Sequence, residues 1–211
     1  MVQLLIFGNS ITYGSWDKEG GWVQRLRNFV DEKNTSNPTY YCLIYNLGVP
    51  GDTVEEILER FESETKSRLD ENEELILIFQ VGLNDSVYLN DEDEQRFLVE
   101  VFQDNIKTLI KISKRFAKKI IFLGLTPVED KKVDPIPWDK NKSYKNELIK
   151  DFNAKLKETC NKREVGFIDI YEKFIENNYE SLLDDGVHPN TEGHKRIFEI
   201  VKEYLVKNKK I

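Results

Sequence analysis

Cysteine is nearly absent from this chain of 211 residues. Cys42 and Cys160 stand far apart, with no Cys-x-x-Cys or Cys/His ligand spacing, which excludes a disulfide framework or a zinc site as the basis of the fold. Both read as ordinary reduced thiols. Long apolar runs are missing too: no stretch approaches the ~20 residues a membrane helix needs. Met1 leads within three residues into an apolar run, with no room for a basic and then apolar leader, so the expectation is a soluble, cytoplasmic protein without stable membrane insertion. Positive charge is in deficit, 31 Lys plus Arg against 38 Asp plus Glu, and the resulting −7 repels phosphate. That argues against nucleic acid or an anionic membrane surface as the main partner. The basic run KISKRFAKK closes an apolar-periodic segment, where cations complement a helix C-terminus. Neither a Gly-x-Gly-x-x-Gly fingerprint nor a Walker loop is present, which counts against a nucleotide-binding protein. With no internal repeat, low-complexity tract or linker, residues 1–211 read as one domain.

What is present alternates. The short apolar runs LLIF (4–7), YYCLIYN (40–46), LILIFQV (75–81), KIIFLGL (119–125) and VGFIDI (165–170) have the length and composition of strands. Between them, Trp22, Val23, Leu26, Phe29 and Val30 keep a helical period, as do Val54, Ile57, Leu58 and Phe61, and the series from Phe97 to Ile110. Leu148, Ile149, Phe152 and Leu156 mark a fourth helix, Ile197, Ile200, Val201 and Tyr204 the last. Thr53 with Glu56 fits a capping box. Repeated strand–helix–strand order without hairpin signals implies an α/β fold: a five-stranded parallel sheet between two helical layers. The segment 126–142, with three prolines, reads as a loop.

The first apolar run ends at Gly8, which places Ser10 just past the carboxyl end of a buried strand, the rim where open α/β sheets bind ligands. An isolated serine there is more often a turn or capping residue. Other strand-end loops share the rim, however: NLGVPGDT (46–53), VGLNDS (81–86) and LLDDGVHPN (182–190). A serine hydroxyl needs a base, and the base needs a group that fixes its tautomer. Of the two histidines, His188 follows Asp185 by three residues in a turn that Gly186 eases, whereas His194 lies inside the final helix and reads as a surface or satisfied core residue. Oxyanion donors on the same rim are the Ser10 N–H, the Gly51 N–H and the Asn84 side-chain amide. Gly51 can also simply serve a tight turn, and Asn84 an Asx-turn.

FGNSIT, NLGVPGDT, VGLND and DGVHPN together resemble the four spaced blocks of the SGNH hydrolases, the GDSL-type esterases and lipases, in the same order and over nearly the whole chain. The resemblance implies Ser10 as nucleophile, Asp185 and His188 as the rest of a triad, and Ser10, Gly51 and Asn84 as the oxyanion hole. It also implies a three-layer flavodoxin-like sandwich with strand order 2-1-3-4-5, which periodicity does not supply. No Gly-x-Ser-x-Gly elbow surrounds Ser10, against the α/β-hydrolase fold. The family's first block usually carries Asp before the serine; here Asn9 keeps the hydrogen bonds and loses the charge.

The function expected is serine-dependent hydrolysis of small, short-acyl or acetyl carboxylic esters through an acyl-enzyme, with no metal or organic cofactor. A mean hydropathy of −0.55 favours water-soluble substrates over lipid surfaces. The alternatives are a lysophospholipase or thioesterase acting on longer chains, and a catalytically silent carbohydrate-binding relative. Trp16, Leu83, Tyr88 and Trp138 are the expected pocket walls, and the loops at 82–91 and 126–142 are long enough to close over the rim.

Overall fold

Leu4, Leu5, Ile6 and Phe7 are completely buried, as a strand covered on both faces requires. They belong to β1 (Val2–Gly8), the middle of three strands in register: β2 (Cys42–Gly48) lies on one side and β3 (Glu74–Gln80) on the other. The computed structural model describes residues 1–175 and 178–211. Two very short strands, β4 (Tyr88–Leu89) and β5 (Glu94–Gln95), precede β6 (Lys119–Leu123); β7 (Lys142–Ser143) and β8 (Gly166–Ile168) follow it. The main sheet is parallel, in the order β2-β1-β3-β6-β8. Counted by its own five strands, that is the 2-1-3-4-5 order implied by the family resemblance.

The helices are α1 (Ser10–Tyr13), α2 (Gly21–Ser36), α3 (Val54–Lys66), α4 (Val99–Ser113), α5 (Asp130–Val133), α6 (Asn146–Lys162), α7 (Ile170–Phe174) and α8 (Thr191–Lys207). On one face of the sheet α2 packs on α8, and on the other α4 packs between α3 and α6. Aromatic rings fill the second interface: Phe7 and Phe79 stack at 5.6 Å, Phe79 and Phe122 at 4.9 Å, and Phe61 of α3 packs 5.3 Å from Phe7. Thr53 and Glu56 form the expected capping box at the start of α3.

Each of the five strands has ends that differ from their expected positions: β1 extends to Val2 and Gly8, β2 starts only at Cys42, β3 is shifted by one residue to Glu74–Gln80, and β6 stops at Leu123 instead of Leu125. The fifth expected strand stops at Ile168 because the Asp169 side chain accepts from the Glu172 N–H and starts α7. The second runs to Gly48 because pairing with β1 continues to Gly8↔Gly48. The segment read as a loop after 126 contains α5 and then enters β7, which pairs antiparallel with β4. This small sheet, order β5-β4-β7, joins the segment after β3 to the segment after β6.

Register then determines where chemistry can occur. Gly8 lies opposite Gly48 and Gln80, so the chain leaves β1, β2 and β3 at one level and their following loops share one rim. A side chain at Gly8 would overlap the Thr12 hydroxyl and the Gln80 carbonyl. The missing side chain at Gly8 leaves room for α1 to approach β3, where the Thr12 hydroxyl and the Trp22 indole both donate to Gln80 Oε1 at 2.8 Å.

Candidate active site

Ser10 is the first residue of α1, whose N-cap is Asn9: the buried Asn9 Oδ1 accepts from the Ile11 N–H at 3.1 Å. The hydrogen bond anticipated for Asn9 is therefore made without a carboxylate. The Ser10 N–H is one of the helix-start donors that no intrahelical acceptor claims.

The Asp–His loop is closed as a miniature hairpin. Leu183 and Pro189 bridge antiparallel, the Asp184 N–H donates to the His188 carbonyl at 2.8 Å, and the Asn190 N–H to the Leu182 carbonyl at 2.8 Å. Asn190 then caps α8, accepting from Glu192 and Gly193 at 3.1 Å each. Held this way, Asp185 Oδ1 accepts from the Val187 N–H at 2.9 Å and the His188 N–H at 2.8 Å, and Oδ2 faces His188 Nδ1 at 2.7 Å. On the far side of the ring, His188 Nε2 lies 2.9 Å from Ser10 Oγ. Ser10, His188 and Asp185 thus form one continuous hydrogen-bonded chain. Burial alone would push the Asp185 carboxyl up; the hydrogen bonds from the His188 ring and from the His188 and Val187 N–H groups outweigh it and hold the group well below the usual carboxylate range. A carboxylate opposite Nδ1 selects the Nδ1–H tautomer and leaves the Nε2 lone pair facing the serine.

Asn84 and Gly51 line the cavity in front of Ser10. Gly51 has φ +91°, and a Cβ at this position would meet nothing within 4 Å, so glycine is needed there for its backbone conformation and not for space. The Asn84 amide nitrogen donates to the Asp52 carbonyl at 2.9 Å, and its oxygen accepts from the Tyr144 hydroxyl at 2.8 Å. Arg60 braces the same corner from below. Its Nε donates to Asp52 Oδ2 at 2.8 Å, and its Nη2 to the carbonyls of Leu47 at 2.8 Å and Gly8 at 3.3 Å, tying together the ends of β1 and β2 and the Gly51–Asp52 turn.

The cavity measures about 650 Å³. Ser10, Gly51, Asn84 and His188 form its chemical end, and Tyr13, Ser15, Trp16, Pro50, Trp138 and Tyr144 its walls. Trp16 and Trp138 are where the sequence placed them, but Leu83 and Tyr88 are not among the lining residues. Leu83 is buried in the core, and Tyr88 is committed to β4, its hydroxyl on Asp93 and its ring 3.6 Å from the Lys145 ammonium. The cavity stays open to solvent, with Tyr13, Trp16 and Trp138 each more than half exposed, and of the two loops only the one after 126 contributes a wall, through Trp138.

Trp16 does more than wall the cleft. Its Nε1–H donates to Asp185 Oδ2 at 2.7 Å. The same nitrogen lies 3.0 Å from His188 Nδ1, which cannot accept while it carries the proton it donates to Asp185. Trp16 is in the left-handed region at φ +65°, and the turn around it is anchored by buried Asp17. Burial pushes the Asp17 carboxyl up, but Arg25, the Glu19 and Gly21 N–H groups and the Thr191 hydroxyl together bring it down to about 2. His194 is fully buried and donates through Nε2 to the Ser15 carbonyl at 3.2 Å; burial depresses its imidazole to about 4, which keeps it neutral at pH 7. It is a core residue supporting the Trp16 turn. Arg60, Tyr144 and Asp17 had no motif to mark them, and only long-range packing reveals their roles.

Beside Asn84, Asp85 is buried with one oxygen on the Val54 N–H at 3.1 Å and the other without a partner among the described residues. Burial outweighs that hydrogen bond and raises its carboxyl to about 7. The native state therefore holds this proton more tightly than the unfolded chain does, and stability from this group falls as pH rises from about 4 to about 7. Asp85→Asn keeps an acceptor for Val54 and removes the titration. In denaturant titrations the variant should gain on the wild type by up to about 1.4 kcal/mol per pH unit across that window. A stability difference independent of pH would show that Asp85 ionises freely in the folded protein.

Among the described residues, no helix is long and apolar enough to cross a membrane, and no group of three or more His, Cys, Asp and Glu side chains could hold a metal ion. Comparison with known proteins matches residues 6–196 to the GDSL-like Lipase/Acylhydrolase family. An arylesterase of Vibrio mimicus is 22% identical over 207 residues, covering 98% of this chain and 89% of the relative. The crystal structure of a lipase/acylhydrolase from Enterococcus faecalis superposes with a TM-score of 0.74 at 22% identity, over 97% of this chain and 95% of that one. An acetylxylan esterase from Geobacillus stearothermophilus does so with a TM-score of 0.71 at 18% identity, over 95% and 92%. At these identities the solved structures share the fold.

Proposed function

The chain belongs to the GDSL-like lipase/acylhydrolase family, and from that premise we propose that it hydrolyses short-acyl carboxylic esters through an acyl-enzyme on Ser10. His188 Nε2 takes the Ser10 proton as Oγ attacks the ester carbonyl, and Asp185 stabilises the imidazolium that forms. The carbonyl oxygen becomes an oxyanion, received by the N–H groups of Ser10 and Gly51 and by the Asn84 amide. Collapse of this intermediate expels the alcohol, which His188 protonates; water then repeats the cycle on the acyl-enzyme and releases the acid. The observation that carries this reading is the unbroken chain from Ser10 Oγ to His188 Nε2, at 2.9 Å, and from His188 Nδ1 to Asp185, at 2.7 Å.

The lining supports a small substrate. Among the described residues, no Leu, Ile, Val, Met or Phe side chain lines the cavity; its apolar surface is three kinds of flat ring with polar edges, plus Pro50. Such walls suit a ring-bearing, polar alcohol, as in an acetylated sugar or an aryl ester, and give a long alkyl chain little to bury against. The acetylxylan esterase and arylesterase relatives agree with that chemistry. Each buried methylene offers about 0.8 kcal/mol, so an aliphatic groove would raise kcat/KM about fourfold per carbon. With p-nitrophenyl esters of increasing acyl length, we expect acetyl and butyryl to be preferred and activity to fall by octanoyl. A preference for octanoyl or longer would replace this reading with the lysophospholipase or thioesterase one.

A further inference from the structure

We propose that Tyr144 is a positioning residue for the oxyanion hole: its hydroxyl, donating to Asn84 Oδ1, fixes and polarises the amide whose nitrogen receives the developing charge. This rests on the reading of Asn84 as an oxyanion donor.

Two contacts define the orientation of the amide. The Asp52 carbonyl can only accept, so the Asn84 atom 2.9 Å from it is the NH2 group, and the atom facing Tyr144 is the carbonyl oxygen. Tyr144 must then donate. It is buried at the cavity wall, and burial raises its phenol above the ordinary range, so it keeps the proton it donates. With one amide hydrogen on Asp52, the second has no partner among the described residues and is left for the cavity that Asn84 lines. A donor on the amide oxygen shifts electron density away from the nitrogen and strengthens that free N–H as a donor.

The fold is arranged to deliver this contact. Asn84 lies four residues before β4, and Tyr144 immediately follows β7; Tyr88 of β4 pairs with Ser143 of β7, which brings the two segments side by side. The Tyr144 N–H, donating to the Val133 carbonyl at 3.0 Å, holds the backbone on the other side. The small sheet thus has a task at the site, bringing Tyr144 to Asn84.

Because the oxyanion exists only after attack, losing this support should lower kcat and leave KM nearly unchanged. The test is a double-mutant cycle on p-nitrophenyl acetate hydrolysis with Tyr144→Phe, Asn84→Ala and the double variant, each checked for a native thermal transition. Tyr144→Phe keeps the ring and removes only the hydroxyl; we expect kcat to fall about tenfold with KM within twofold. Asn84→Ala should cost about 10²- to 10³-fold, and adding Tyr144→Phe to it should cost nothing more. If Tyr144→Phe leaves kcat intact, or costs the same factor in both backgrounds, Tyr144 does not act through Asn84 and the inference is overturned. If Asn84→Ala itself retains full kcat, the oxyanion assignment of Asn84 fails, and this inference with it.

Discussion

Ser10→Ala is expected to lower kcat/KM for p-nitrophenyl acetate by about 10⁴-fold or more while leaving the thermal transition unchanged. The substitution removes one oxygen, whose hydrogen-bond partner is His188 Nε2, and leaves α1 with a better helix former at its first position. His188→Ala should lose activity to the same degree, and the double variant should be no worse than either alone, because nucleophile and base act as one unit. His194→Ala is the control. It opens a void under the Trp16 turn and removes the donor to the Ser15 carbonyl, so it should cost stability, about 2–4 kcal/mol, while the folded fraction keeps most of its kcat. An inactive but stable His194→Ala beside an active His188→Ala would reverse the assignment of the base.

The second large effect is expected at the carboxylate. Asp185 accepts four hydrogen bonds, from the Val187 and His188 N–H groups, the His188 ring and the Trp16 indole. An asparagine offers one accepting oxygen and one donating nitrogen, so the two backbone donors and the two ring donors cannot all be served. With the oxygen kept by the backbone N–H groups, the amide NH2 faces His188 Nδ1 and forces it to accept. The proton then moves to Nε2, which can no longer take the Ser10 proton. Asp185→Asn should reduce kcat by about 10⁴-fold at neutral pH with the fold retained, measured under saturating substrate. Activity within tenfold of wild type would show that Asp185 sets neither tautomer nor charge.

The central sheet was legible because its signals are local: four consecutive apolar residues in β1, a capping pair at Thr53 and Glu56, and a helical period between strands. The convergence of Ser10, His188 and Asp185 was legible for a different reason. Parallel strands deliver all their carboxyl ends to one rim, so residues as far apart as Ser10 and His188 could be brought together by topology. What the sequence did not disclose depends on contacts made across the chain. Tyr88 has the composition of a pocket wall, but pairing with Ser143 and the phenol's bond to Asp93 commit it to the small sheet. Trp16 was expected in the cleft, yet its bond to Asp185 follows from a left-handed backbone angle that no pattern announces. Arg60 and Tyr144 have ordinary neighbours in sequence, and their partners, the Asp52 carboxylate and the Gly8 and Leu47 carbonyls for Arg60 and the Asn84 amide for Tyr144, come from other segments of the chain. Asp169 shows a local signal read too late: an aspartate at the end of an apolar run was the cap of the next helix.

The most direct test of the account is to ask which atom becomes covalently modified. Treating the protein with an alkyl fluorophosphonate, which mimics the tetrahedral intermediate and cannot be hydrolysed onward, should abolish esterase activity at one equivalent of label. Peptide mass spectrometry should find that label on Ser10 alone, and the His188→Ala variant should remain unlabelled on the same timescale. Full activity with Ser10 unmodified, or inactivation with the label on another residue, would contradict the claim that Ser10 is the nucleophile.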